Sequence, residues 1–250
     1  MGFGSGSAKT RSRSPPRQRG VGGLASGLGN VSVSMCPTAG VPAVQMTHPC
    51  GDSCTMRVAG AAVTSWKNKS GLELLTAGRG SDAGLVPCGL PPGTTAESWS
   101  VEALSGGGGA STAGEEESET KVIVSSEVMC GAVRAISRVT ITILPESLTA
   151  ELDIANDMEE DVADASLQLG AIGFRFTCAG PAIAATSETM NVEGALHAFG
   201  MKLSMQGFST SALVGVSQQA CCVDVASAGG LLLGPGQVVS GTVVLEQQAS

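Results

Sequence analysis

"SLTAELDIAND", residues 147–157, decides the fold. Leu148, Ala150, Leu152 and Ile154 alternate with Thr149, Glu151 and Asp153. A period of two turns one face to a core and the other to water, which is how a half-buried strand reads. Upstream lie "KVIVSSEVM" (121–129) and "AVRAISRVTITIL" (132–144), both rich in β-branched residues, with "LPES" as punctuation before 147. Together the three segments read as an antiparallel meander.

The same reading extends outward. "CTMRVAGAAVTSWK" (54–67) is a strand, a bend at Gly60 and a second strand; "NKSG" is a turn, and "LELL" resumes extended chain. "LQLGAIGFRFTC" (167–178), "NVEGALHAFGMKLSM" (191–205), "QACCVDVA" (219–226) and "GQVVSGTVVLEQ" (236–247) add further strands. No long apolar stripe of period 3.6 stands out. The expectation is an all-β antiparallel sandwich or supersandwich. "SGGGGASTAGEEESET" (105–120) joins a glycine run to an acidic cluster and reads as a flexible surface insertion within that domain.

The 250 residues include five Phe, two Trp and no Tyr, so the core must be built from aliphatic side chains. Thirty-five glycines, about twice the usual ~7% share, imply frequent turns. The first 51 residues carry five of the 14 basic residues and none of the 22 acidic ones. The remainder is strongly acidic, which does not suit nucleic acid, whose phosphates call for Lys and Arg. No run approaches the ~20 apolar residues of a membrane span, so any membrane association is expected through a partner.

Residues 1–38 are rich in Ser, Gly and Arg and lack acids. That composition fits an unfolded organelle transit peptide ahead of a domain over 39–250, and the missing apolar block argues against secretion. "RSRSPPR" also allows an arginine–serine tail, and a disordered tail without an address is the plainer reading. Eight cysteines are scattered, with Cys221 and Cys222 adjacent, and read as reduced, semi-buried thiols.

Few residues offer chemistry. His48, with Cys50 and Cys54 in "HPCGDSC", has zinc-type ligands but lacks a second pair, so a turn is expected there and no metal. His197, in "GALHAFG", reads as a partly buried strand position and a weak catalytic candidate, because a general base or acid needs a partner in reach. Asp224 is the lone carboxylate of the apolar run 218–234. "SGGGGAS" lacks the Lys-Ser/Thr of a phosphate loop, and no G-x-S-x-G elbow occurs, so no cofactor is expected.

Three segments resemble the aldose 1-epimerase, or galactose mutarotase-like, superfamily, nearest its glucose-6-phosphate 1-epimerase-like branch. In 41–75, "GAAVTSW" followed by "GLELL" matches the opening strand pair. In 141–176, "LTAELDIAN" and the strand after it are similar to the central pair. In 218–247, "CCVDVAS" and "LLGPGQVVSG" are similar to the closing pattern. The resemblance implies a shortened β-supersandwich and a site in which a histidine protonates a sugar ring oxygen while a carboxylate takes the anomeric proton. Asp224 falls near that carboxylate. Gly170 or Ala171 stands where the histidine belongs, His197 does not align with it, and "GLPPGTTA" before "ESWSV" lacks the sugar-binding His and Arg.

A narrower resemblance is to the mutarotase-like subunit of subcomplex B of the chloroplast NAD(P)H dehydrogenase-like complex. "VPAVQMT", "DAGLVPCG" with "SWSV", "LQLGAIGFRF" and "VDVASAGGLLLGPGQVVSGTVVLEQ" carry it. It implies a non-catalytic structural subunit or assembly component, plastid-located and peripheral to the thylakoid or in the stroma, with protein subunits as partners and Asp224 as a remnant. Two alternatives remain. One is a hexose-6-phosphate mutarotase using Asp224 and His197, with Arg79, Arg134, Arg138 or Arg175 on the phosphate. The other is a carbohydrate-binding module without chemistry.

Overall fold

The computed structural model describes residues 30–35, 40–76, 84–106, 119–159, 165–179, 191–216 and 220–248. In chain order the strands are β1 (Asn30–Met35), β2 (Pro42–Thr47), β3 (Ser53–Arg57), β4 (Ala62–Lys67), β5 (Glu73–Thr76), β6 (Leu85–Cys88) and β7 (Trp99–Ser105). Then come β8 (Thr120–Cys130), β9 (Val133–Leu144), β10 (Ser147–Asn156), β11 (Leu167–Leu169) and β12 (Gly173–Ala179). A short helix α1 (Val192–Ala198) precedes β13 (Met201–Gln206), β14 (Thr210–Val216), β15 (Ala220–Ala226), β16 (Leu231–Leu233) and β17 (Val238–Gln247).

The expected meander is β8–β9–β10. Leu148 faces Ile143 and Leu152 faces Val139 across β9–β10. Inward residues of β10 are buried and outward ones half-buried, as the period of two requires. These strands sit in a six-stranded antiparallel sheet ordered β13-β17-β10-β9-β8-β7. A nine-stranded sheet runs β1-β2-β3-β4-β5-β12-β15-β14, with β6 pairing both β12 and β4. β11 and β16 form a separate ribbon. One hydrophobic cluster takes Met46, Met56, Trp66, Phe174, Phe176 and Val223 from the larger sheet and Val139, Ile141, Leu152, Ile154 and Leu245 from the smaller. The core is mainly aliphatic, with Trp66, Phe174 and Phe176 its largest fully buried side chains.

Two of the quoted motifs have local structural roles. Glu73 of "GLELL" accepts hydrogen bonds from the Ser65 hydroxyl and, at 2.9 Å, from the Trp66 backbone N–H. Those contacts hold the register shift between β4 and β5. Asn156, at the end of β10, donates to the carbonyls of Ala165 (2.7 Å) and Leu233 (3.0 Å), tying the β11–β16 ribbon to the sheet.

Two expectations change. The segment 191–205 is not one strand: its first half is α1. Asn191 caps that helix by accepting from the Gly194 N–H at 2.8 Å, and Glu193 lies in the first turn. A capping residue with an acid just behind it overrides the weak strand pattern. Likewise 167–178 is two strands, β11 and β12, separated by 170–172. Within the span 1–38, residues 30–35 pair with β2; residues 1–29 and 36–39 lie outside the described residues. The Gly/Glu insertion falls between β7 and β8, with 107–118 also outside them. Among the described residues no helix is long and apolar enough to cross a membrane.

Candidate functional site

Alternation assigns the faces of the two strands that carry the chemistry. In β12, Phe174, Phe176 and Cys178 are buried while Arg175 is exposed. In β15, Cys221, Val223 and Val225 are buried, leaving Cys222 and Asp224 on the outward face. The strands pair so that Arg175 lies directly opposite Asp224. Gly173 permits this approach, because a Cβ at that position would fall on the Val225 carbonyl.

Arg175 grips Asp224 at both ends. Nε donates to Oδ1 at 2.6 Å and Nη2 to Oδ2 at 2.8 Å. The fork matches a carboxylate plane, the geometry for which arginine is suited. The carboxylate beside it raises the guanidinium further above its ordinary value. Val86 of β6 faces Arg175 from the other side, and Cys88 of β6 faces Gly173. Burial pushes the Cys88 thiol up, partly offset by the nearby Arg175 charge.

This arrangement limits what Asp224 can do. A general base must offer a free oxygen to the proton it takes. Both Asp224 oxygens already accept from a cation. Gly170 and Ala171, expected at the donor position, sit in the link before β12 and not in the strand. The residue that faces the carboxylate from β12 is Arg175, which cannot release a proton near neutral pH.

His197 belongs to a different surface. It is exposed in the last turn of α1 rather than on a strand, and lines a hollow of about 410 Å³ with Leu196, Met201, Leu203 and Ser211. Ser211 is the neighbour in β14 of Ala212, the strand partner of Asp224. Consecutive strand residues point to opposite faces. His197 and Asp224 therefore lie on opposite sides of the sheet and form no acid–base pair.

His48 is buried in the β2–β3 turn. Its Nδ1 accepts from the Cys50 N–H at 3.1 Å, its backbone N–H donates to the Asp52 carbonyl, and its carbonyl accepts from Gly51. Cys50 is exposed and Cys54 is buried in the core. Among the described residues no three His, Cys, Asp or Glu side chains are grouped to hold a metal.

The arginines suggested for a phosphate are engaged where they are described. Arg134 holds Glu127 through two bonds of 2.8 Å, and Arg138 holds Glu102 through two of 2.9 Å. Both sit on β9 of the six-stranded sheet, away from Asp224. Arg79 lies outside the described residues. The Arg175–Asp224 pairing escaped sequence reading. Alternation in "GFRFTCA" and "ACCVDVA" puts both residues outward, but only the strand register sets them face to face.

No protein-family model matches the sequence, and no curated protein matches it either. Solved structures do. A galactose mutarotase-like protein from Clostridium acetobutylicum superposes with a TM-score of 0.58 at 11% identity, over 87% of this chain and 98% of that one. A protein of Synechocystis sp. PCC 6803 superposes with a TM-score of 0.54 at 13% identity, over 80% of this chain and 93% of the other. The chain has a galactose mutarotase-like fold.

Proposed function

We propose that the chain is a non-catalytic protein built on the mutarotase-like fold, serving as a structural subunit or assembly component of a membrane-associated protein complex. The Arg175–Asp224 ion pair is the observation that carries this reading: the carboxylate that sequence resemblance places near a catalytic base is held by a cation at 2.6 and 2.8 Å. Acid–base catalysis without a free base or a facing donor forfeits the ~10²–10⁴-fold that each such group supplies. The finer placement, in the chloroplast NAD(P)H dehydrogenase-like complex at the thylakoid periphery, draws on the subgroup resemblance and on the acid-free, Arg- and Ser-rich start of the chain.

Two measurements test the reading. Anomer exchange of glucose 6-phosphate, followed by NMR, should proceed at the spontaneous rate with the protein present. Acceleration that disappears in Asp224→Asn would restore the mutarotase reading. On native gels of gently solubilised plastid membranes, the tagged protein should migrate with a large assembly. Migration near the mass of the free chain would remove the structural-subunit reading, and a sugar-induced rise in melting temperature would then favour a binding module.

A further inference from the structure

The two strands that hold the ion pair also carry a cysteine pair on their inner face. Cys178 lies directly opposite Cys221 in the β12–β15 register. Both side chains are fully buried. Among the described residues no other two cysteines face each other as strand partners. Directly opposed residues of antiparallel strands have Cα atoms about 4.5–5.5 Å apart. A disulfide spans ~4.4–6.8 Å between Cα atoms. The register therefore brings the two Cα atoms within the span that a disulfide requires.

We propose that Cys178 and Cys221 are a dithiol modification site that peroxide converts to a cross-strand disulfide. The Cys221 thiolate attacks one peroxide oxygen, the O–O bond breaks, and the second oxygen leaves as water after taking a proton. The Cys178 sulfur then displaces the hydroxyl of the resulting sulfenic acid, which departs as water with the Cys178 proton. Two thiols and one hydrogen peroxide become one disulfide and two waters.

Hydrogen bonding with Cys178 holds the Cys221 thiol below its ordinary value, while hydrogen bonding with Cys221 and burial push the Cys178 thiol up. That makes Cys221 the attacking sulfur and Cys178 the resolving one. Access comes from position. Cys178 is the penultimate residue of β12, Cys221 the second of β15, and Val216, which ends β14, pairs with Cys221. All three strands stop there, and strand ends open locally far more readily than the sheet centre. A small peroxide reaches such a site where a protein oxidant would not.

The test uses the full chain, fully reduced, exposed to hydrogen peroxide, then denatured and alkylated with N-ethylmaleimide. The expected result is a loss of two hydrogens, about 2 Da, and of two alkylation sites, with a cross-linked peptide joining Cys178 to the 221–222 segment. Cys222→Ala should retain the link; Cys221→Ala and Cys178→Ala should abolish it. A bond that survives in Cys221→Ala, or complete alkylation of both sulfurs after oxidation of the native chain, would overturn the proposal. The peptide map of the unsubstituted chain decides independently of whether either alanine variant folds.

Discussion

Arg175 and Asp224 are the residues on which function turns, and their exposure sets what they contribute. Their side chains are 49% and 34% exposed, so solvent screens the pair despite its short bonds. Such pairs stabilise by about 1 kcal/mol or less. Asp224→Asn should therefore cost no more than about 1 kcal/mol in urea unfolding and leave anomer exchange at the spontaneous rate. A loss of several kcal/mol would mean the pair anchors β12 to β15. A second ion pair gives a pH signature. Arg138, by hydrogen bonding and charge, holds the Glu102 carboxyl below its ordinary value. The folded chain then binds that proton less readily than the unfolded chain. The stabilisation is complete above the unfolded value of about 4.3 and is lost as pH falls through the folded value. Glu102→Gln should thus melt lower than the parent at neutral pH and show a shallower fall in Tm on acidification below about pH 4. Parallel melting curves against pH would show that this pair adds nothing.

At the scale of elements, β12 and β15 hold the outward ion pair and the inward thiols in one register. Gly173 begins that register. Any Cβ there meets the Val225 backbone carbonyl, which cannot swing aside as a side chain end would. Gly173→Ala should destabilise the fold by a few kcal/mol, among the larger single-residue effects. Thermal unfolding reads the loss. A change below about 0.5 kcal/mol would mean that the two strands separate there without consequence. α1 shows the opposite balance. Seven residues make a helix too short to persist alone, so its Asn191 cap and the burial of Ala195 and Leu196 must sustain it.

Across the whole molecule, the strands differ in how they are protected. β8, β9, β10 and β17 are flanked on both edges and carry fully buried Val124, Val139, Ile141, Leu152 and Val243. Among the described residues, β1 and β14 end the larger sheet, each with a single neighbour. Amide exchange should be slowest in β9 and β10 and fastest in β1 and β14. Protection of β14 comparable to β10 in the purified chain would place a partner on that edge and require a revised view of its free state.

The strands of the central meander were legible in the sequence alone. The alternation of 147–157, the β-branched run of 132–144 and the bend at Gly60 each act within a few residues, where side-chain period and turn chemistry are local quantities. The pair quoted as "GAAVTSW" with "GLELL" was equally legible, since it needs only a strand, a turn and a return. Register was not legible. Whether Asp224 meets a histidine, an arginine or water depends on which residue, 49 positions earlier, lies opposite it. A slip of one residue would have turned Arg175 into the core and Phe174 or Phe176 outward. The same holds for His197, whose strand-like surroundings gave way to a capped helix on the far side of β14. The apolar cost of a wrong register, summed over every buried residue of both sheets, selects one pairing. Only that collective term closes Asp224 with Arg175 and sets Cys178 against Cys221.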